Sequence, residues 1–277
     1  MFIEKVIKNV ETMATAYELA KGAVPEIQRI VKRLQSGKLK IAIFGAGGTG
    51  KTTLGNMLAN KTSANSVLTP YQESTSVDRI NLENIPGSVI IVPGQEPRQH
   101  KWDEVFSEII DGQINLIINV VSYGYHSLEG ASYQDHFLFQ TGMSERDFAI
   151  TYTENRRIRE IEAFQAMESN IRIAKGKRIL MLTLVTKQDL WWHNREQMKN
   201  HYQNGEYSRL INNILLKKGS DGFQHEYFST SLVIENFVSG NNELIWPNSE
   251  GYDERLKITN NLKLDNIINS LCDRNLR

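Results

Sequence analysis

A glycine-rich run, Gly45-Ala46-Gly47-Gly48-Thr49-Gly50-Lys51-Thr52-Thr53, carries the most specific chemistry in this 277-residue sequence. Gly45-x-x-x-x-Gly50-Lys51-Thr52 matches the phosphate-loop pattern without a mismatch. Glycines let successive backbone N–H groups turn inward around a phosphate, where a Cβ would obstruct them. The start of a following helix adds its dipole. Lys51 supplies a mobile positive charge to the β and γ phosphates, and the Thr52 hydroxyl can ligate Mg2+. The short apolar run from Lys40 to Phe44 reads as the strand before the loop, and Leu54, Met57 and Leu58 mark the helix after it. This is the context the motif requires, and it predicts binding of a nucleoside triphosphate.

The elements that must position this loop alternate between strand and helix. Val77–Leu82 and Ser88–Val92 read as a hairpin around Glu83–Gly87, and a helix follows through Trp102, Val105, Phe106 and Ile109. Strands are predicted at Ile114–Val121, Arg178–Val185 and His225–Phe228. Between them lie an irregular stretch from Ser122 to about Ile150, a charged helix to about Ala174 and helical segments through 191–217. Residues 232–253 read as irregular, and a closing helix spans about Asp253 to Leu271. This order predicts an α/β domain, residues 38–277, with a mostly parallel sheet and helices on both faces. Residues 1–37 are expected to form a separate helical segment: apolar residues from Ile3 and Val6 to Val31 and Leu34 recur at steps of three and four. Gly22 and Pro25 predict a division into two helices. Its stripe either packs on the rest of the chain or docks a partner helix, a second copy included.

Lys and Arg total 32, as do Asp and Glu, so no net charge steers the chain toward nucleic acid or an anionic membrane. Hydrophobic residues at 40% supply a sizeable core. The lone cysteine, Cys272, cannot form an internal disulfide, which points to a reducing compartment. No apolar run approaches the roughly 20 residues of a membrane span, and no signal-peptide order opens the chain. A cytoplasmic protein without a membrane span is expected.

Beyond the loop, the sequence resembles the Ras-like P-loop GTPases of the translation-factor superclass. Thr75, in Glu73-Ser74-Thr75-Ser76-Val77, best matches the family's switch-one threonine, with Thr69 the alternative. Ile91-Val92-Pro93-Gly94-Gln95-Glu96 stands where the family has Asp-x-x-Gly, with Ile91 in place of the aspartate. Thr186-Lys187-Gln188-Asp189 matches the Asn/Thr-Lys-x-Asp element. Ser229-Thr230-Ser231 approximates the small-residue turn after the last strand, with Leu232 where a lysine is usual. The resemblance implies a three-layer sandwich with one antiparallel strand in the sheet and a site for GTP or GDP with Mg2+. In the family the aspartate, here Asp189, accepts from the guanine ring N–H and exocyclic amine, while the lysine stem, here Lys187, lies along the base. Adenine would leave that carboxylate unpaired, at about 1–3 kcal/mol.

By the same resemblance, Gly45, Gly47, Gly48, Thr49, Gly50, Lys51, Thr52 and Thr53 hold the phosphates. Thr52 and Thr75 hold the metal, and Gly94 senses the γ-phosphate. Gln95 orients the attacking water, alongside Lys51. Thr186, Lys187, Asp189, Ser229, Thr230 and Ser231 surround the base. Loss of the aspartate at Ile91 removes a residue that orients a metal-bound water, and Asp78 is the nearest candidate in sequence to help. Gly94 and Thr186 are 92 positions apart, more than compact family members use, so an insertion is placed at about 122–170. Its Tyr123, Tyr125, His126, Tyr133 and His136 read as packed or solvated and not as metal ligands. Arg156, Arg157 and Arg159 alternate with Glu154, Glu160 and Glu162 and read as a wet helix face, an arginine finger being the sharper alternative. Trp191 and Trp192 read as core. Three functions follow in order: a GTPase switch that meets an effector or a second copy through its switch regions or N-terminal helices, a pseudo-GTPase scaffold, and an unrelated P-loop ATPase or kinase.

Overall fold

Strand β1 (Leu39–Phe44) sits at the centre of a six-stranded sheet. The other strands are β2 (Asp78–Asn81), β3 (Gly87–Ile91), β4 (Leu116–Val121), β5 (Ile179–Val185) and β6 (Phe223–Ser229). The computed structural model describes residues 39–58, 77–81, 87–94, 102–114, 116–128, 132–174 and 178–274. Thr69, Thr75, Gln95 and the N-terminal segment 1–37 lie outside the described residues. The strand order is β2-β3-β1-β4-β5-β6, and all neighbours run parallel except the edge pair β2 and β3.

Each parallel pair needs a crossover, and helices supply them. They are α1 (Lys51–Leu58), α2 (Trp102–Ile110), α3 (Glu145–Ile173), the short α4 (Gln188–Trp191) and α5 (Arg195–Lys199), α6 (Glu206–Gly222, broken at Gly219) and the closing α7 (Glu254–Arg274). The period-two alternation of the central strands sorts their side chains into two cores. Ile41 and Ile43 of β1, Leu116, Ile118 and Val120 of β4 and Leu180, Leu182 and Leu184 of β5 pack with Leu54 of α1 and Leu264, Ile268 and Leu271 of α7. Ala42, Phe44, Ile117, Val121, Met181 and Val185 face the opposite way, onto α2, α3 and α6. There Phe164 of α3 stacks on Tyr207 of α6 at 4.5 Å between ring centroids. The result is the three-layer sandwich, with one antiparallel strand, that the sequence predicts.

Three details differ from the sequence reading. Helix α3 begins at Glu145, five residues before the expected start, because Ser144 caps it by accepting the Asp147 N–H at 3.2 Å. Residues 232–253 contain a small hairpin, β7 (Phe237–Val238) with β8 (Leu244–Trp246), whose strands are too short to show an alternating pattern. Arg156 and Arg157 are half-buried and lie over the rings of Tyr152 and Tyr123, at 4.9 and 4.8 Å. That part of α3 is not a wet face, because aromatic planes offer guanidinium groups a packed alternative to water.

Candidate nucleotide site

The glycine-rich loop joins β1 to α1 at the carboxyl edge of the sheet. Gly45 takes φ +135°, and a Cβ there would lie 2.0 Å from the Val120 carbonyl oxygen. Gly48 takes φ +72°, with the Ser127 nitrogen 2.6 Å from where its Cβ would be. Both positions therefore demand glycine on conformational and steric grounds. Thr49 Oγ1 donates to the Ala46 carbonyl at 3.0 Å and closes the loop on itself. Lys51, the first residue of α1, is buried, and its ammonium donates to the Ala46 carbonyl at 2.7 Å. Burial alone pulls its pKa down to about 7. Thr52 is exposed beside it and Thr53 half-buried.

After β3 the chain runs directly against this loop. The Gly47 N–H donates to the Gly94 carbonyl at 3.1 Å, and a Cβ on Gly94 would lie 2.4 Å from Lys51 Nζ. Gly94 thus stands against Lys51 and the Gly45–Ala46 backbone, where only glycine fits. Ile91 is fully buried and packs toward Gly55 of α1, 2.4 Å from where a Cβ on that glycine would stand. The antiparallel register sets Asp78 directly opposite Ile91, so the two share the sheet face that carries α1.

The second loop follows β5. Thr186 Oγ1 donates to the Thr49 carbonyl at 2.7 Å, tying the two loops together. Lys187 takes a left-handed φ of +54°, and its ammonium donates to Ser127 Oγ at 3.2 Å. Burial lowers its pKa to about 8 against the opposing pull of Glu235, Asp189 and Glu160. The buried Asp189 carboxylate accepts from the Ser231 hydroxyl through one oxygen and from the Glu235 N–H at 3.1 Å through the other. Burial raises its pKa above the usual aspartate range, while those donors pull it down. Its own N–H pulls the same way.

Thr230 and Ser231 are buried beside Asp189, and the Ser231 N–H donates to the Tyr252 hydroxyl at 3.1 Å. Ser229 ends β6 and holds the Gln188 side-chain amide at 3.1 Å. Leu232 is buried over the glycine loop, 3.6 Å from a Cβ on Gly50. Trp191 is fully buried and donates to the Thr186 carbonyl at 2.8 Å, so it braces the loop from within the core. Trp192 is half-buried and meets the Tyr252 ring edge-on at 5.5 Å.

Sequence reasoning missed Ser127, Glu235 and Tyr252, each of which touches these loops through a contact without sequence periodicity. His126 is buried against Glu160 at 2.9 Å, and His136 lies 3.3 Å from Arg156. Among the described residues no group of three or more His, Cys, Asp or Glu is placed to hold a metal ion, and no helix is long and apolar enough to cross a membrane.

No protein-family profile matches this chain, and no curated protein is similar to it in sequence. Solved structures with a similar course of the chain include the signal recognition particle receptor SRb-GTP/SRX complex from Chaetomium thermophilum. It has a TM-score of 0.43 and 10% identity, over 72% of this chain and 93% of that one. The mammalian SRP receptor has a TM-score of 0.41 and 15% identity, over 70% and 91%. A mutant of S. thermophilus NFeoB bound to GMPPNP has 0.35 and 11%, over 70% and 55%. The fold is an α/β three-layer sandwich with a glycine-rich loop between its central strand and the first helix.

Proposed function

We propose that this protein binds GTP and GDP and hydrolyses GTP to GDP and phosphate as a nucleotide-dependent switch. One observation carries the reading. The glycine loop and the Thr186–Asp189 loop meet at the carboxyl ends of β1 and β5, joined by the Thr186 bond to Thr49. Ligands of open α/β sheets bind at such an edge. The glycine-only cradle and the buried Lys51 fit a polyphosphate, and the Asp189 carboxylate, an acceptor beside that loop, fits the paired donors of guanine.

In this reading the backbone N–H groups of residues 45–50 and the Lys51 ammonium hold the β and γ phosphates and offset charge developing on the transferred group. Gln95 orients the attacking water, and Gly94 and Thr75 report the γ-phosphate to the surface. Thr52 and Thr75, with Asp78 on the same sheet face as Ile91, would hold Mg2+, which neutralises phosphate charge when bound. Ser229, Thr230 and Ser231 line the base side, and Lys187 lies along the base. An effector or a second copy of the chain would read the γ-phosphate-dependent surface.

Ile91 favours a second reading, a pseudo-GTPase scaffold. Its fully buried side chain belongs to the α1-side core, and the carboxylate the family keeps at that position is gone. Phosphate release from GTP with Mg2+ separates the two. An enzyme loses turnover in Gln95→Ala while keeping nucleotide affinity, whereas a scaffold binds GTP tightly and releases no phosphate in either form.

A further inference from the structure

The loop after β4 passes through Ser127, which touches both halves of the candidate nucleotide site. Its N–H donates to the Gly48 carbonyl at 3.0 Å, and its hydroxyl accepts from Lys187 Nζ at 3.2 Å. At its other end the loop is wrapped around a buried charge. Glu160 of α3 is fully enclosed, and one carboxylate oxygen accepts from the Ser122 N–H at 2.7 Å and from His126 Nε2 at 2.9 Å. The Gly124 N–H approaches the same oxygen at 3.4 Å. The other oxygen accepts from the Tyr202 hydroxyl at 2.5 Å, which itself accepts from the Tyr123 N–H at 2.9 Å.

Consecutive N–H groups of residues 122, 123 and 124 are thus gathered on one carboxylate, directly or through Tyr202. Tyr123 and Gly124 adopt positive φ, +53° and +85°, to aim them. Such a backbone concavity is the geometry that binds anions, and here the anion is supplied by the chain itself. Burial opposes ionisation of Glu160, but the bonds from His126, Tyr202 and Ser122 outweigh it and hold its pKa below the usual carboxylate range. His126 is kept neutral by burial, so its Nε2–H is the donor.

A buried charge is a poor source of stability, since apolar residues of the same volume do as well or better. What it provides here is geometry. Tyr202 sits in a π-helical turn, Asn200–Asn204, a rare element that turns its hydroxyl onto Glu160. Gly124 has no room for a side chain, because a Cβ would lie 2.1 Å from the Thr153 carbonyl of α3. Helix α3 and the π turn therefore fix the backbone of residues 122–124, and through it the place of Ser127.

We propose that Glu160 is a positioning residue for nucleotide retention. Its carboxylate holds the loop after β4 so that Ser127 ties the phosphate loop to Lys187 of the base loop. The inference rests on the reading of this site as a guanine-nucleotide site and adds a control point to it: whatever displaces α3 or the π turn loosens the nucleotide.

The test is the dissociation rate of N-methylanthraniloyl-GDP from the full chain, measured for wild type, Glu160→Gln, Ser127→Ala and the double variant, with melting of each nucleotide-free protein alongside. Glutamine keeps the shape, but its NH2 cannot accept from Tyr202, and neutral hydrogen bonds are roughly half as strong as charged ones. Each single variant is expected to speed release about tenfold, the scale of one such bond. The double variant is expected to release no faster than the quicker single, because both act through one tie.

Release within twofold of wild type in Glu160→Gln, with a lowered melting temperature, would make Glu160 merely structural and overturn the proposal. Effects that multiply in the double variant would overturn it as well. If Glu160→Gln does not fold, Tyr202→Phe takes its place in the same cycle with Ser127→Ala, under the same criteria. A wild-type protein that does not bind the analogue removes the guanine-nucleotide reading itself, and this proposal with it.

Discussion

Lys51 gives the sharpest quantitative handle on the site. Burial pulls its pKa to about 7, and the bond it donates is to a backbone carbonyl, not to a carboxylate. A polyphosphate in the loop favours the ammonium and returns the pKa toward its ordinary 10.5. Binding therefore takes up a proton wherever the nucleotide-free lysine is neutral, and affinity falls as pH rises through 7. The protonated fraction drops from about three quarters at pH 6.5 to about 3% at pH 8.5, so affinity for GDP should fall about 25-fold, or about 1.9 kcal/mol. Titration calorimetry at constant ionic strength, in buffers of different ionisation enthalpy, measures both the affinity and the proton uptake. Uptake should be about 0.9 proton at pH 8 and about 0.1 at pH 6. Lys51→Arg, charged throughout the range, should lose most of the pH dependence. Flat affinity from pH 6.5 to 8.5 with no proton uptake at pH 8 would refute the reasoning. Without nucleotide the sign reverses: the unfolded chain holds this proton up to about pH 10.5, so the free fold should gain stability as pH rises above 7.

Other outcomes follow from single contacts. Asp189→Ala should weaken guanine-nucleotide binding by about 1–3 kcal/mol and leave ATP binding, if any is measured, unchanged, as competition titrations would read. Gly45→Ala forces a Cβ onto the Val120 carbonyl at a left-handed φ, and thermal melting should show a loss of about 2 kcal/mol or more. Phe164→Ala empties the contact with Tyr207 between α3 and α6 and should cost about 3–5 kcal/mol in urea unfolding. Burial pulls His225 to about 3, so it stays neutral in the fold while the unfolded chain protonates below pH 6.5. Stability should fall as pH drops below 6.5, and part of that loss should vanish in His225→Phe, as denaturant midpoints at pH 7 and 5 would show.

The glycine loop was legible in the sequence because Gly45 and Gly48 stand where no side chain fits. The parallel sheet was legible because β1, β4 and β5 are apolar runs each interrupted by a single polar residue (Lys40, Asn119 and Thr183), a pattern that buried strands share. Thr186–Asp189 was legible as a resemblance, and its geometry adds what the sequence withheld: the donors on Asp189 come from Ser231 and Glu235, 42 and 46 residues away. In the sequence Glu160 is one charge among many on a segment that reads as a wet helix face. Its neighbours Arg156, Arg157 and Arg159 give the segment an alternating sign, and nothing in a local pattern distinguishes a carboxylate that faces a loop 38 residues earlier. Ser127 was hidden for the same reason, in a stretch with no periodicity to place it.

The most direct test of the central claim is equilibrium binding of GDP, GTP and ATP to the wild-type chain and to Asp189→Ala in the presence of Mg2+. The account predicts tight binding of both guanine nucleotides, binding of ATP weaker by about tenfold or more, and loss of the guanine preference in the variant. Equal affinity for ATP and GTP, unchanged by Asp189→Ala, would contradict it.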